Sequence, residues 1–211
     1  IKIEIPQSSK FARNQLKILT SKSTNIPNKL KKKFDADVII NYDFGTCRYR
    51  GKVRQNGDWK DHIKLINGNL IQSLDIKLKT GNILNAVKFK LLIPETRNGL
   101  NEIFASTILK YLGFIAPETF EVNTSINGSN FLMLFQEKAE KELLERNSRR
   151  EGPIFRGDET LMWGYENYSL IELDRLSLAT LYNKAWFKKG PSSQQIILSA
   201  YEKLQNSSLK N

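Results

Sequence analysis

One cysteine, one histidine and two methionines stand in 211 residues, and the first two scarcities close off whole classes of chemistry. A lone Cys47 forbids an intrachain disulfide, and with His62 as the single histidine there is no zinc-ligand set and no Cys/His pair at motif spacing. Cys47 sits in a strand-like run, TCRYRGKV, where a small buried or half-buried thiol is expected. No apolar run approaches the roughly 18 to 20 residues that cross a bilayer, so no transmembrane segment is expected. The opening IKIEIPQSSKFARNQ lacks the basic stretch and apolar core of a secretion signal. It begins with Ile rather than Met, which leaves room for an upstream signal, anchor or domain, and neither envelope nor cytoplasm is read from that end. Neither a GxGxxG nor a GxxxxGK[ST] loop occurs, so a conventional kinase loop and a Walker site are both missing.

What is present is ordinary globular material: 40% hydrophobic, 26% charged, enough for one sizeable core or one and a half small domains. Thirty-three basic against 22 acidic residues give a net charge of +11, which favours polyanionic partners. Part of the excess is the run Lys29-Leu30-Lys31-Lys32-Lys33, a solvated linker or helix end or else an anion-binding patch. Nucleic acid is set aside as a partner, because the basic residues are spread through the chain and no helix-turn-helix or ribonucleoprotein signature accompanies them.

Along the chain, loosely helical spacing from Ser8 to about Ser23 ends at Asn-Ile-Pro-Asn. Asp37 to Phe44 and Thr46 to Gln55, parted by Gly45, read as a hairpin, and Gly57 to Gly68 as a polar connection. Ser73 to Lys79 and Val87 to Leu91 alternate apolar residues with Asp75, Lys77, Lys79, Lys88 and Lys90, so each strand buries one face and presents mostly lysines on the other. The turn-rich PETRNG stretch precedes the clearest helix, Leu100 to Leu112. A second hairpin turns at Asn127-Gly128 between Glu118 to Ile126 and Phe131 to Glu137. Ala139 to Asn147 reads as a short charged helix, followed by helical patterns over Leu170 to Lys188 and Ser192 to Gln205. The order predicts an α+β protein: an approach segment over 1–36, a mostly antiparallel sheet-rich lobe with one embedded helix over 37–165, and the beginning of a helical lobe over 166–211.

Two polar strings stand out. GDWKDH carries Asp58, Asp61 and His62, candidates for acid/base or ligand groups or for a hydrogen-bonded turn. FQEKAEKELLERNSRREGPIFRGDETLMW, Phe135 to Trp163, carries Arg149, Arg150, Arg156 and Asp158 around an REGP turn, where guanidinium groups can grip phosphate or hold the loop onto the sheet. Arg97 adds a guanidinium in the turn before the clearest helix. Trp59 and Trp163 are expected to be packing aromatics.

The strings GDWKDH, SLDIKLKTGNI, KFKLLIPETRNGLNEI, LGFIAPETF, INGSNFLMLFQEK and KELLERNSRREGPIFRGDETLMW, in this order over about Thr46 to Trp163, resemble the spore-coat CotH kinase-like proteins, particularly their larger bacterial relatives. The resemblance implies an atypical kinase-like fold with ATP and Mg between a sheet lobe and a helical lobe. The metal-binding carboxylates of the family lie in an Asp/Asn stretch that does not occur before Asn211. Phosphoryl transfer needs a cation against the phosphates and a carboxylate to hold it, which makes Lys77, Lys79, Lys88 and Lys90 candidates for the cation and Glu102 for the carboxylate. Glu137, at a strand end, is placed as a lobe-connecting residue. Two functions follow: Mg-ATP-dependent phosphoryl transfer to a protein or surface-polymer hydroxyl, or a non-catalytic envelope-associated module that holds an anionic glycan or protein.

Overall fold

The computed structural model describes residues 1–66, 68–156 and 179–208. The chain divides into two units, Ile1–Lys138 and Ala139–Asn211. In the first, strand β1 (Lys2–Glu4) leads into helix α1 (Ser8–Leu19), and strands β2 (Phe34–Tyr42) and β3 (Gly45–Gln55) form the first hairpin. A small hairpin follows, β4 (Ile63–Ile66) with β5 (Asn69–Gln72), then β6 (Leu74–Leu78), β7 (Lys88–Leu92), helix α2 (Asn101–Tyr111), β8 (Thr119–Ile126) and β9 (Ser129–Glu137).

Seven of these strands close into a barrel in the order β1-β2-β3-β6-β7-β9-β8. Every pairing is antiparallel except the one that closes the ring, where β1 runs parallel to β8 with Lys2 opposite Ser125 and Ile3 opposite Ile126. This overturns the expected α+β fold, a mostly antiparallel sheet lobe of kinase-like type with one embedded helix: the protein is mixed α/β, dominated by a closed seven-stranded barrel. The cause is the N-terminal IKIEI, read as an approach segment, whose three-residue strand bonds to β2 on one side and β8 on the other. A strand this short carries too little alternation to be read from sequence.

Alternation then assigns the faces. Ile3, Val38, Ile40, Val53, Ile76, Phe89, Met133 and Phe135 point inward and fill the barrel, so its interior is a packed core. Phe135 stacks on Phe89 and Phe120 at centroid distances of 4.9 and 4.7 Å. Burial at this density stabilises by roughly 1.5 to 3 kcal/mol per large side chain. The stretch read as a polar connection holds β4, whose Ile63 packs with Ile18 and Ile26 in a second, smaller core. Helix α2 forms where its periodicity predicts, yet it buries only Ser106 and leaves Phe104 and Ile108 exposed.

In the second unit the described residues form helix α3 (Lys141–Arg146), strand β10 (Phe155–Arg156) paired with β11 (Thr180–Leu181), and helices α4 (Lys184–Phe187) and α5 (Pro191–Ser208). Buried Asn183 ties this unit together: its Oδ1 accepts the Ile154 N–H at 2.9 Å and its Nδ2 donates to the Gly152 carbonyl at 2.8 Å. Thr180–Leu181 is strand where the periodicity predicts helix, because Thr180 and Leu181 pair with Arg156 and Phe155 across the sequence. Among the described residues no helix is long and apolar enough to cross a membrane.

The closure makes β1 energetically indispensable. Ile3→Ala, at a position with no solvent exposure, is expected to lower stability by about 2–5 kcal/mol in urea unfolding. Leu132→Ala, half exposed on β9, should stay within about 0.5 kcal/mol. Equal effects of the two substitutions would remove β1 from the closed barrel.

Candidate anion-binding face

The outward residues of β3, β6 and β7 fall in register. Lys52 lies opposite Lys77, and Lys77 opposite Lys88, so one row across three strands is all lysine. The next row reads Arg54, Asp75, Lys90 and, on β9, Gln136. Like charges directly opposite one another destabilise a sheet, and Asp35, beside Lys52, offsets part of that repulsion. A cleft of about 380 Å³ opens at this place, lined by Lys33, Lys52, Arg54, Lys77, Lys88 and Lys138 with Asp75 as its carboxylate.

Asp75 is mostly buried and holds the cations in place. Its Oδ2 accepts from Arg54 Nη2 at 2.7 Å and Nε at 3.1 Å, and Lys138 Nζ lies 3.3 Å from Oδ2 and 3.5 Å from Oδ1. Asp35 flanks the row from β2 and accepts from Lys79 at 2.8 Å, with Lys52 at 3.4 Å; these partners, Lys79 first, hold its carboxyl below the usual range. Lys77 has no ion pair among the described residues. Lys90 lies deeper: burial pulls its ammonium below the usual lysine range, Arg97 and Lys138 push the same way, and Asp75 and Glu102 oppose them.

The structure therefore brings Lys77, Lys79, Lys88 and Lys90 to one outer face. Glu102, in the first turn of α2, accepts from Gln136 Nε2 at 3.0 Å and lies 3.8 Å from Arg97 Nε, which places it in the surroundings of Lys90 without an ion pair to it. Glu137 is separated from the lysines. It lies opposite inward-pointing Phe89, is buried, and accepts the Glu118 N–H at 3.1 Å.

The GDWKDH string builds a turn. His62 is buried with Nδ1 3.0 Å from Ser73 Oγ, which also accepts the Ile93 N–H at 3.0 Å. Gly57, at φ +90°, lies so close that a Cβ there would sit 2.0 Å from the imidazole. Asp58 accepts from Lys31, Asp61 is exposed, and the charges of both act on His62. Trp59, expected to pack, is 59% exposed, because its turn projects beyond the small core under β4. In the second unit Arg149 and Arg150 are exposed, and Arg156 lies over the Tyr182 ring at 5.8 Å. Asp158 and Trp163 lie outside the described residues.

Lys33, Lys52, Arg54 and Lys138 were not singled out as site residues by the sequence. The signal for two of them was available in β3, where Arg48, Arg50, Lys52 and Arg54 recur at every second residue and so share a face. Lys33 arrives from the lysine run, which ends at the cleft. No protein-family model matches the chain, and no curated protein matches it in sequence.

Two outcomes follow. Asp75→Asn, which frees Arg54 and Lys138, should cost about 1–3 kcal/mol in urea unfolding while tightening retention on a phosphate-bearing resin; weaker retention would contradict the electrostatic reading. Burial holds the His62 pKa below its ordinary 6.5, so the unfolded chain takes up a proton first as pH falls. The stability this group contributes is complete above pH 6.5 and is lost as pH falls through the lowered value. Urea midpoints at pH 7.5 and 5.0 should differ more for the native chain than for His62→Asn, and an equal difference would rule out this titration.

Proposed function

We propose that the outer face of β3, β6 and β7 binds a multiply charged, phosphate-bearing anion, and that this anion is the polyphosphate of Mg-ATP, held for phosphoryl transfer to a hydroxyl of a protein or surface polymer. The lysine row Lys52-Lys77-Lys88 carries the reading, since three ammonium groups in register on neighbouring strands present several donors to one multiply charged anion. The ordered resemblance to the spore-coat CotH kinase-like proteins supports ATP as the anion and transfer as the reaction. In this assignment Lys77 and Lys88 face the phosphates and Lys52 and Arg54 flank them. Lys90 is steadied by the charges of Asp75 and Glu102.

The cations of the cleft fit phosphate. Magnesium finds no comparable fit: both oxygens of Asp75 lie within reach of Lys138 and one also accepts from Arg54, and no group of three His, Cys, Asp or Glu comes together among the described residues. No described residue is assigned to the metal. Asp75 is thereby also unavailable as a base, an observation that favours the second reading, a non-catalytic envelope-associated module holding an anionic glycan or protein on the same face.

Thermal unfolding with tripolyphosphate, with Mg-ATP and with a sulfated polysaccharide separates these readings. A ligand at a hundred times its Kd raises stability by about 2.7 kcal/mol. Stabilisation by Mg-ATP, weakened at least about tenfold in Lys77→Gln/Lys88→Gln, is the expected result. Stabilisation by the polysaccharide alone selects the binding module, and no shift with any of the three at millimolar concentration rejects the face as a site.

A further inference from the structure

A second groove, independent of the basic face, runs between α1, the tip of the β4–β5 hairpin and the β8–β9 turn. It encloses about 400 Å³, and no charged side chain lines it among the described residues. Ser8, Ser9, Phe11, Ala12 and Gln15 share one side of α1, because residues three and four apart stack along a helix. Phe11, Leu70 and Ile126 supply apolar walls, and Asn69, Asn127 and Ser129 supply amides and a hydroxyl. The Ser129 hydroxyl already donates to Asn69 Oδ1 at 3.0 Å, and Asn127 Oδ1 accepts the Ile5 N–H at 2.8 Å, so these two contacts shape the rim.

Gln15 is different. It is 6% exposed, lines the groove, and its side chain makes no hydrogen bond among the described residues, while its neighbour Asn14 donates to the Leu30 carbonyl at 2.8 Å. Its amide is not among the fully buried unpartnered groups, so the little of the side chain that stays exposed includes polar atoms open to the groove. The first turn of α1 adds N–H groups with no side-chain cap from Gln7. A simple anion would satisfy those N–H donors but leave the Gln15 carbonyl without a donor, and among the described residues no cationic side chain lines the groove to attract one. A ligand that both donates and accepts, and that offers an apolar face to Phe11 and Leu70, satisfies every group. That chemistry is a sugar ring: hydroxyls at its edge, C–H groups on its face.

We propose that this groove binds a neutral saccharide, with the Gln15 amide as its central hydrogen-bonding group. Saturation-transfer NMR on the 211-residue chain, with cellotriose and N,N′-diacetylchitobiose as probes, tests it. At least one probe should give a signal with a millimolar dissociation constant. Gln15→Leu should weaken it at least about tenfold without lowering the thermal midpoint. Should that variant fail to fold, Ala12→Phe, which fills the groove from a solvent-exposed position, should abolish the signal instead. The proposal is overturned if neither saccharide gives a signal, if the signal survives the folded variants, or if sulfate or a neutral extended peptide binds in the groove while both saccharides stay silent.

Discussion

Closure of the barrel through β1 is the constraint on which the rest of the first unit depends. Three residues pair antiparallel with β2 and two of them, Lys2 and Ile3, pair parallel with β8, and with that the sheet loses its free edges. Once the ring is closed, every strand has an inside and an outside. The inside is filled by stacked Phe89, Phe120 and Phe135 with aliphatic neighbours, so the polar half of each alternating strand is displayed on the outer wall. The same β1 ends beside Asn127, whose side chain accepts the Ile5 N–H, so closure also sets the turn that borders the uncharged groove.

Outward display explains the electrostatics. Three lysines in one row repel one another, and the fold tolerates them because Asp75 and Asp35 sit beside the row and because the ammonium groups reach solvent. Lys90 is half-buried, and burial together with the neighbouring guanidinium and ammonium groups weakens its hold on its proton. The wall therefore grades from the exposed Lys52 and Lys77 to the half-buried Lys90, which feels the charges of Asp75, Glu102, Arg97 and Lys138. His62, by contrast, is spent on structure, wedged against Gly57 and joined to Ser73, although its string had the composition of a reactive site.

Much of this was legible locally. The hairpin at Asn127-Gly128, the α2 periodicity and the Lys77/Lys88/Lys90 alternation all appear where nearest-neighbour rules place them. The alternation even told that Lys77 and Lys88 share a kind of face. It could not tell that they lie opposite each other, that Lys52 completes the row, or that Glu137, one residue from Gln136, points to the other side of the wall. Strand register is a property of pairs, and a shift of one residue exchanges the two faces.

The division follows the range of the forces. Side-chain periodicity and composition, which act within a few residues, were enough for the two long hairpins, the lysine-bearing strands, helix α2, the excess of positive charge and the exclusion of an intrachain disulfide. Tertiary structure alone decided that the sheet closes, that six cations gather round Asp75, and that Gln15 lies buried beside an open groove. Those outcomes rest on pairings such as Ile3 with Ile126, and on the packing of α1 beside the β8–β9 turn, contacts between residues more than a hundred positions apart. No local preference encodes them: they form only when the whole ring buries its apolar faces at once.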